Sequence, residues 1–232
     1  MSPPLQVVMG GAAGQPVEPV HAEDPVFTVL GVEPLPWSAT PALRFSLHVS
    51  DPQGRDVHTV ALTSEIRIEP AKRAYAAGTH EKLVELFGPE ERWASTTHAF
   101  HWTKVELLTP SFVGATSFEL DVPLSFDMEL AATKYFYAIQ DGHVPLSFVF
   151  SGTVLYRNEQ DHLRVERVPW SCIAAWKMPV AAWHKAIRAH YPQGGWVRLD
   201  DETLVALAAV KAGRGDHAFD DTVRALMEGH RG

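Results

Sequence analysis

Hydrophobic and polar residues alternate with a period of two over much of the chain between residues 43 and 168. The alternation is clearest at 43–49, 60–68, 118–126 and 144–157. Because successive side chains of a strand point to opposite faces, each segment predicts a β-strand with one buried face. Seven or eight such strands with few long helices between them predict an antiparallel β-sandwich, since parallel strands need helical crossovers.

A hairpin is predicted at the turn Asp51-Pro52-Gln53-Gly54, between the first two of these strands. The register that buries both apolar faces pairs Phe45 with Val60. In that register His48 and His58 lie on the two arms of the hairpin and face apart. A three-residue loop with a bulge would bring the two histidines opposite each other, and it remains the alternative interpretation.

A second hairpin is predicted at Asp141-Gly142, between a strand at Tyr135–Ile139 and a return strand at Val144–Arg157. Two residues within the predicted strands indicate where those strands lie in a sheet. Pro123 has no N–H to donate, so its strand is expected at a sheet edge or to contain a bulge. Gly152 predicts a bulge or the close approach of another backbone.

The period changes to 3.6 from about residue 175, which is typical of amphipathic helices. One further short helix is expected among the strands, because THEKLVELFG has helical spacing and ends at Gly-Pro. The predicted helices lie at 79–88, at 179–191, from Asp200 to about Gly213, and from Asp220 or Asp221 onward. The fold class is therefore mainly β with α, a β-sandwich followed by a small helical unit.

Three parts are predicted along the chain: a flexible tail at 1–24, a β-sandwich domain at 25–174 and a helical C-terminal unit at 175–232. The first part is rich in Gly, Pro and Ala and shows no sustained period. Tryptophans cluster at the junction of the other two parts, where aromatic rings commonly supply apolar packing. The helical unit is expected to pack on the sandwich through Trp170, Trp176 and Trp183.

Composition and charge narrow the class of protein. The 232 residues are 46% hydrophobic and 21% charged, as in a globular protein. The net charge is −8, and residues 1–174 hold 21 acidic against 12 basic residues. Nucleic acid is not expected as a partner, because it requires a clustered basic surface. One cysteine, no N-terminal targeting pattern and no apolar run of about 18–20 residues predict a cytoplasmic protein without a membrane span.

The stretch KYFYAIQDGH contains three residues with reactive side chains, Lys134, Asp141 and His143. Asp141 precedes a glycine, which favours turn chemistry. Lys134 has no second cation beside it in sequence to lower its pKa, so it is interpreted as a residue at a strand end. These three residues, together with His48 and His58, are the candidate functional surface.

No other motif predicts a catalytic or metal site, and no cofactor is expected. His98 and His101 would point to opposite faces of a strand and could not share an ion there. Cys172 has apolar neighbours in sequence and is interpreted as a small buried hydrophobe, with a nucleophile as the alternative. We therefore expect neither bound transition metal nor enzymatic activity.

Several segments resemble an uncharacterised actinobacterial protein family, and the resemblance covers everything after about residue 25. They are IEPAKRAY (68–75), LFGPEERW (86–93), residues 134–156, VPWS (168–171) and MPVAAWHKAIRAHYP (178–192). The members resemble proteins encoded near nickel–iron hydrogenase genes, which implies an accessory or assembly role. The resemblance assigns no chemical role to any residue.

These observations predict a non-catalytic cytosolic accessory protein that binds another protein, with a hydrogenase subunit as the partner that the resemblance implies. An acidic sandwich face could attract a basic partner, and an edge at Pro123 could accept a strand from it. Two alternatives remain open. One is a metal-delivery protein for metalloenzyme assembly, and the other is a hydrolase that uses Cys172 or a serine placed by the fold.

Overall fold

The computed structural model describes residues 22–76, 78–124, 130–192 and 199–230, so most of the predicted tail lies outside the described residues. The chain divides into two compact units, up to Pro192 and from Gln193. The first unit contains β1 (Val26–Pro34), β2 (Ala42–Ser50), β3 (Asp56–Ile68), α1 (Thr79–Phe87), α2 (Trp93–Thr96), β4 (Phe100–Leu108), β5 (Phe112–Val113), β6 (Ala115–Pro123), α3 (Leu130–Ala138), β7 (His143–Arg157), β8 (Leu163–Val168), β9 (Ile173–Pro179) and α4 (Val180–His190). The second contains α5 (Asp201–Arg214) and α6 (Phe219–His230).

The strands form two antiparallel sheets. Sheet A has the order β1-β2-β6, and sheet B has the order β4-β3-β7-β8. β5 pairs with β3 beyond the end of β4, and β9 pairs with β7 beyond the end of β8. The two sheets form a sandwich-like arrangement, which confirms the predicted fold class.

The inner faces of the two sheets share one hydrophobic core. Phe45 of β2 is fully buried, and its ring lies 5.2 Å from Phe148 and 6.0 Å from Trp176, both in sheet B. Phe27 of β1 stacks on Phe150 of β7 with ring centroids 4.3 Å apart. Aromatic residues therefore bridge the sheets, where each buries a large apolar area.

The predicted hairpin at Asp51–Gly54 is wrong, because β2 belongs to sheet A and β3 to sheet B. Phe45 pairs with Leu120 of β6 rather than with Val60 of β3. The alternating pattern of each strand was correctly interpreted. Two strands of a hairpin and two strands that face each other across a core have the same alternation, so the pattern alone does not distinguish them.

A buried ion pair holds the corner at which the chain passes from sheet A to sheet B. The Asp51 side chain is 1% exposed and that of Arg55 is 10% exposed. Asp51 Oδ2 accepts from the Arg55 backbone N at 3.0 Å and from its Nε at 2.9 Å, and Oδ1 accepts from Nη2 at 3.0 Å. Arg55 Nη1 also donates to Glu166 of β8, so the pair connects the corner to the far side of sheet B.

The strand predicted at Tyr135–Ile139 is instead part of helix α3 and the residue that follows it. Its aromatic residues favour a strand by propensity. The buried positions, however, have helical spacing: Ala132, Tyr135, Phe136 and Ile139 are each 1% exposed or less. Burial of one helical stripe therefore overrides the local preference. The return strand predicted at 144–157 is confirmed as β7.

The helices predicted at 79–88, at 179–191 and after Asp200 are confirmed as α1, α4, α5 and α6. Residues 175–179, which were assigned to the helical unit, belong to strand β9, and α4 packs on β1 and β2. Trp176 lies on β9 and Trp183 lies on α4, where it stacks on Phe136 at 5.2 Å. The predicted packing of later residues against these tryptophans stays a prediction.

In the second unit, Asp200 caps α5 as predicted. Its Oδ1 accepts from the Thr203 backbone N at 2.7 Å. Gly215 ends the helix in the left-handed conformation, with φ 73°. Thr222 of α6 is buried, and its hydroxyl donates to Asp216 at 2.8 Å. These bonds fix the turn between the two helices.

Both expectations about special strand residues are confirmed. Pro123 ends β6, which is an edge strand of sheet A. Gly152 has φ 142°, and a Cβ added there would lie 2.0 Å from the carbonyl oxygen of Ala61. Only glycine permits this close approach of β7 to β3.

Removal of the corner carboxylate should destabilise the protein strongly. Asp51→Ala leaves the buried Arg55 backbone N–H and part of its guanidinium without an acceptor, which should lower the free energy of unfolding by about 3 kcal/mol. Glu106→Ala is the control, because the Lys104–Glu106 pair is exposed and should be worth less than about 1 kcal/mol. Urea denaturation of both variants measures the difference. Equal losses would contradict the assigned role of the corner.

Substitution of Gly152 should also be costly. Gly152→Ala forces the β3 and β7 backbones apart and should lower the free energy of unfolding by about 3 kcal/mol. Gly31→Ala in β1 is the control, because a Cβ there meets nothing within 4 Å and the change should have an effect of about 0.5 kcal/mol or less. Thermal unfolding of the two variants is the measurement. A stable Gly152→Ala protein would show that the strands can separate without loss.

Candidate functional site

The structure does not bring the five candidate surface residues together. His48 lies on the outer face of sheet A, with Nδ1 3.2 Å from Ser117 Oγ. His58 lies at a bulge of β3 in sheet B, between Val57 and Thr59. The two histidines are therefore on different sheets and do not pair.

The other three candidates lie where helices cover one end of the sandwich. Lys134 of α3 forms an ion pair with Glu85 of α1. The Asp141 carbonyl oxygen accepts from Arg73 Nη2 at 3.4 Å, and His143 begins β7 opposite Pro179. Lys134 thus connects two helices, while Asp141 and His143 belong to the connection between α3 and β7.

A polar pair that sequence reasoning missed lies in this helical end. The hydroxyls of Tyr75 and Tyr135 are 2.9 Å apart, and the Tyr75 hydroxyl donates to Pro70 O, also at 2.9 Å. Burial raises the pKa of both phenols, and the bond to Tyr135 raises that of Tyr75 further. Both hydroxyls therefore remain protonated at neutral pH and act as hydrogen-bonding groups. Sixty residues separate the two tyrosines, so no local pattern indicates the contact.

Three of the segments noted for their resemblance meet around this pair. Trp93 lies edge-on to Tyr75 at 5.2 Å and to Phe87 at 5.5 Å, and its indole Nε1 donates to Gly88 O at 2.9 Å. The Arg73 guanidinium lies 5.1 Å from the Tyr75 ring centroid. Its Nη1 is buried and has no hydrogen-bond partner among the described residues. These contacts assign the motif residues a packing role.

Cys172 lies between β8 and β9 and is 6% exposed. Its Sγ is 3.3 Å from the carbonyl oxygen of Pro25. Burial, with a smaller contribution from Asp24, raises the pKa of the thiol to about 11. A nucleophilic cysteine needs a lowered pKa, so this environment favours the structural interpretation of Cys172.

Metal-binding and membrane-spanning features are absent from the described part of the chain. Within it, no group of three His, Cys, Asp or Glu side chains is placed to hold a metal ion. None of the helices it contains is long and apolar enough to cross a membrane.

The outer face of sheet A carries an acidic cluster at the edge strand β6. Arg44 of β2 binds Asp121 through Nε at 2.7 Å and Nη2 at 2.8 Å, and it binds Glu119 through Nη1 at 2.8 Å. Glu33 of β1 lies directly opposite Arg44. The side chains of Glu119 and Asp121 remain 54% and 44% exposed. One guanidinium thus faces three carboxylates, which leaves this face negative.

The edge of β6 that faces away from β2 pairs with no strand in the described part of the chain, and we call it the free edge. At the two ends of the pairing with β2, Asp51 N donates to Gly114 O at 2.6 Å and Leu124 N donates to Pro41 O at 2.7 Å. Because hydrogen-bonded pairs alternate along an antiparallel ladder, the even-numbered residues of β6 bond to β2. The odd-numbered residues 115–121 direct N–H and C=O groups to the free edge. We call residues 115–121 with Glu33 and Arg44 the acidic edge.

Comparison with known proteins identifies the family of the chain and no activity. No curated protein matches the chain. A putative late embryogenesis abundant protein, known from a solution structure, is 15% identical, with 68% of this chain and 73% of that chain covered and a TM-score of 0.30. The CARDB domain of a Pyrococcus furiosus protein in complex with di-metal ions is 10% identical, with 72% and 98% covered and a TM-score of 0.23. A family model matches residues 22–232, and the chain therefore belongs to DUF6084, a family of unknown function.

Proposed function

We propose that the protein acts without catalysis, by binding a basic extended segment of another protein along the acidic edge. The observation that carries the proposal is that β6 has both surplus carboxylates and an edge whose backbone groups pair with no other described strand. A strand added to a sheet edge gains affinity from main-chain hydrogen bonds and specificity from alternate side chains.

The geometry defines what such a segment should contain. A strand paired with residues 115–121 would place every second side chain on the outer face of sheet A. Lysine or arginine at those positions would lie opposite Glu119 and Asp121. Pro123 would end the pairing, because it has no N–H to offer. The partner is thus a protein with an extended segment of about seven residues that has basic side chains at alternate positions.

The partner that the resemblance implies is a subunit of a nickel–iron hydrogenase, and assembly of that enzyme is the first process to test. Charge complementarity would accelerate the encounter and make it sensitive to salt. Recovery of the endogenous complex at low and at high salt, with identification of the bound proteins, shows whether such a subunit binds.

Variants of the acidic edge give the decisive comparison. Glu119→Lys reverses a charge. Ser117→Pro removes a free-edge N–H and the hydroxyl that contacts His48, and it keeps the backbone hydrogen bonds to β2. Each should weaken the binding of the recovered partner about tenfold in a titration with purified proteins. Glu106→Lys is the control, since it makes the same charge change on β4 of sheet B. A partner that binds all three variants equally well, or one that resists high salt, would contradict the proposal.

The hydrolase alternative is tested by the reactivity of Cys172. With a pKa of about 11, only about one thiol in 10⁴ is ionised at pH 7. We expect the folded protein to resist a mild alkylating agent at neutral pH and to react after denaturation. The control is an Ala175→Cys/Cys172→Ser protein, whose thiol lies at an exposed position of the adjacent strand β9 and should react rapidly. Rapid stoichiometric labelling of native Cys172 would favour the enzyme instead.

A further inference from the structure

Strand β8 has a solvent-exposed free edge in sheet B. It pairs with β7 on one side, and no strand in the described part of the chain pairs with its other side. Residues 163–167 are all exposed, including the apolar Leu163 at 53% and Val165 at 69%. Sheet edges with exposed apolar residues are templates for pairing with another chain.

The hydrogen-bond pattern shows which residues face this edge. Asn158 N donates to His162 O at 3.0 Å, which fixes the phase of the ladder between β7 and β8. By alternation, the even-numbered residues of β8 bond to β7. Leu163, Val165 and Arg167 therefore direct their N–H and C=O groups to the free edge.

The free edge of β8 is short, because the pairing cannot extend beyond either end of the strand. Pro169 occupies the next position that would face the edge, and it has no N–H. At the other end Asp161 has φ 59°, which is not a strand conformation. Only residues 163–167 are available for pairing, so any added strand must match a short segment.

We propose that β8 pairs with β8 of a second copy of the chain, antiparallel and with Val165 opposite Val165. In this register Leu163 lies opposite Arg167 of the second copy, and all three pairs of edge-facing residues can exchange hydrogen bonds, about six bonds in total. The two B sheets would become one continuous sheet.

Charge complementarity selects this register. Arg164 lies opposite Glu166 of the second copy, and the same pair forms again across the two-fold axis. A slip by two residues in one direction places Arg164 opposite Arg164, and a slip in the other direction places Glu166 opposite Glu166. Because like charges directly opposite one another destabilise a pair of strands, both slips are disfavoured. Glu166 keeps its bond to Arg55, since a carboxylate can accept from several donors.

Apolar burial adds to the pairing. Val165 lies opposite Leu155 of β7, and Leu163 lies opposite Arg157, on the outer face of sheet B. Across the two-fold axis the Val165 side chains of the two copies become neighbours, which removes their exposed surface from water. The interface is small compared with the ~1,600 Å² of a standard complex, so we expect a dimer that dissociates on dilution.

Sedimentation velocity over concentrations from about 1 to about 300 μM tests the proposal. The mean mass of the wild-type protein should rise from 25.6 kDa towards twice that value. Val165→Pro removes an edge-facing N–H and leaves the bonds to β7, so this protein should stay folded and monomeric. Arg164→Glu creates two Glu–Glu contacts and should weaken the dimer at least about tenfold.

Two controls separate loss of pairing from loss of fold. Val165→Thr keeps the N–H and the strand preference and should still dimerise. Lys185→Glu makes the same charge change as Arg164→Glu at an exposed position of α4 and should leave dimerisation unaltered. The melting temperatures of Val165→Thr and Arg164→Glu should match that of the wild type when all are measured as monomers. A wild-type protein that stays monomeric throughout, or a dimer that survives both Val165→Pro and Arg164→Glu, overturns the proposal. Because β6 is unchanged in all four variants, this result is independent of binding at the acidic edge.

Discussion

The buried pair of Asp51 and Arg55 determines how the rest of the sandwich is arranged. It lies where the chain leaves sheet A and enters sheet B, and every later strand except β6 joins the sheet that it opens. A buried ion pair adds little net stability relative to apolar packing, but separating its members is costly. A hairpin at Asp51–Gly54 within one sheet would separate Phe45 from Phe148 and Trp176, which it contacts across the core.

The corner also connects the core to the free edge of β8. Arg55 binds Glu166 and lies 4.5 Å from the ring centroid of Tyr156, so it anchors the end of the long hairpin formed by β7 and β8. Nearby, β1 flanks β9 and starts at Val26, directly after the residue that contacts Cys172. Within the described residues, β1 thus contacts the sheet beside β9, and no strand pairs with the other side of β8.

Local patterns predicted most of the elements but not the partners of each strand. The alternation at 43–49 and at 118–126 reflects burial of one face, and Pro123 correctly marked an edge. Strand β1 escaped prediction because a bulge between Val29 and Gly31 interrupts its alternation. The prediction of a strand at Tyr135–Ile139 is wrong because the aromatic residues of α3 favour a strand, whereas its buried residues have helical spacing. In each case contacts with other parts of the chain determine the structure, because packing overrides the local preference of a segment.

The candidate site illustrates the same limit. Lys134, Asp141 and His143 attract attention because they are close in sequence, yet in the fold Lys134 connects two helices, and Asp141 and His143 belong to the connection between α3 and β7. The acidic edge instead depends on the register that aligns Glu33, Arg44 and Asp121 across three strands, which no single segment encodes. The sequence predicts the excess of acidic residues in 1–174 and the sheet edge at Pro123. It does not predict that both features lie on the same strand.

The two proposed surfaces use different strands of different sheets, which has a consequence for binding. Strand β6 approaches β4 and β5, on the opposite side of sheet B from β8. Pairing through β8 would therefore leave both acidic edges free, and one dimer would carry two of them. Two weak sites that engage the same partner gain avidity from their high effective concentration, provided the partner offers two basic segments at a matching distance. A weak edge interaction on each chain would then suffice to hold a larger assembly, which is the property that an accessory protein requires.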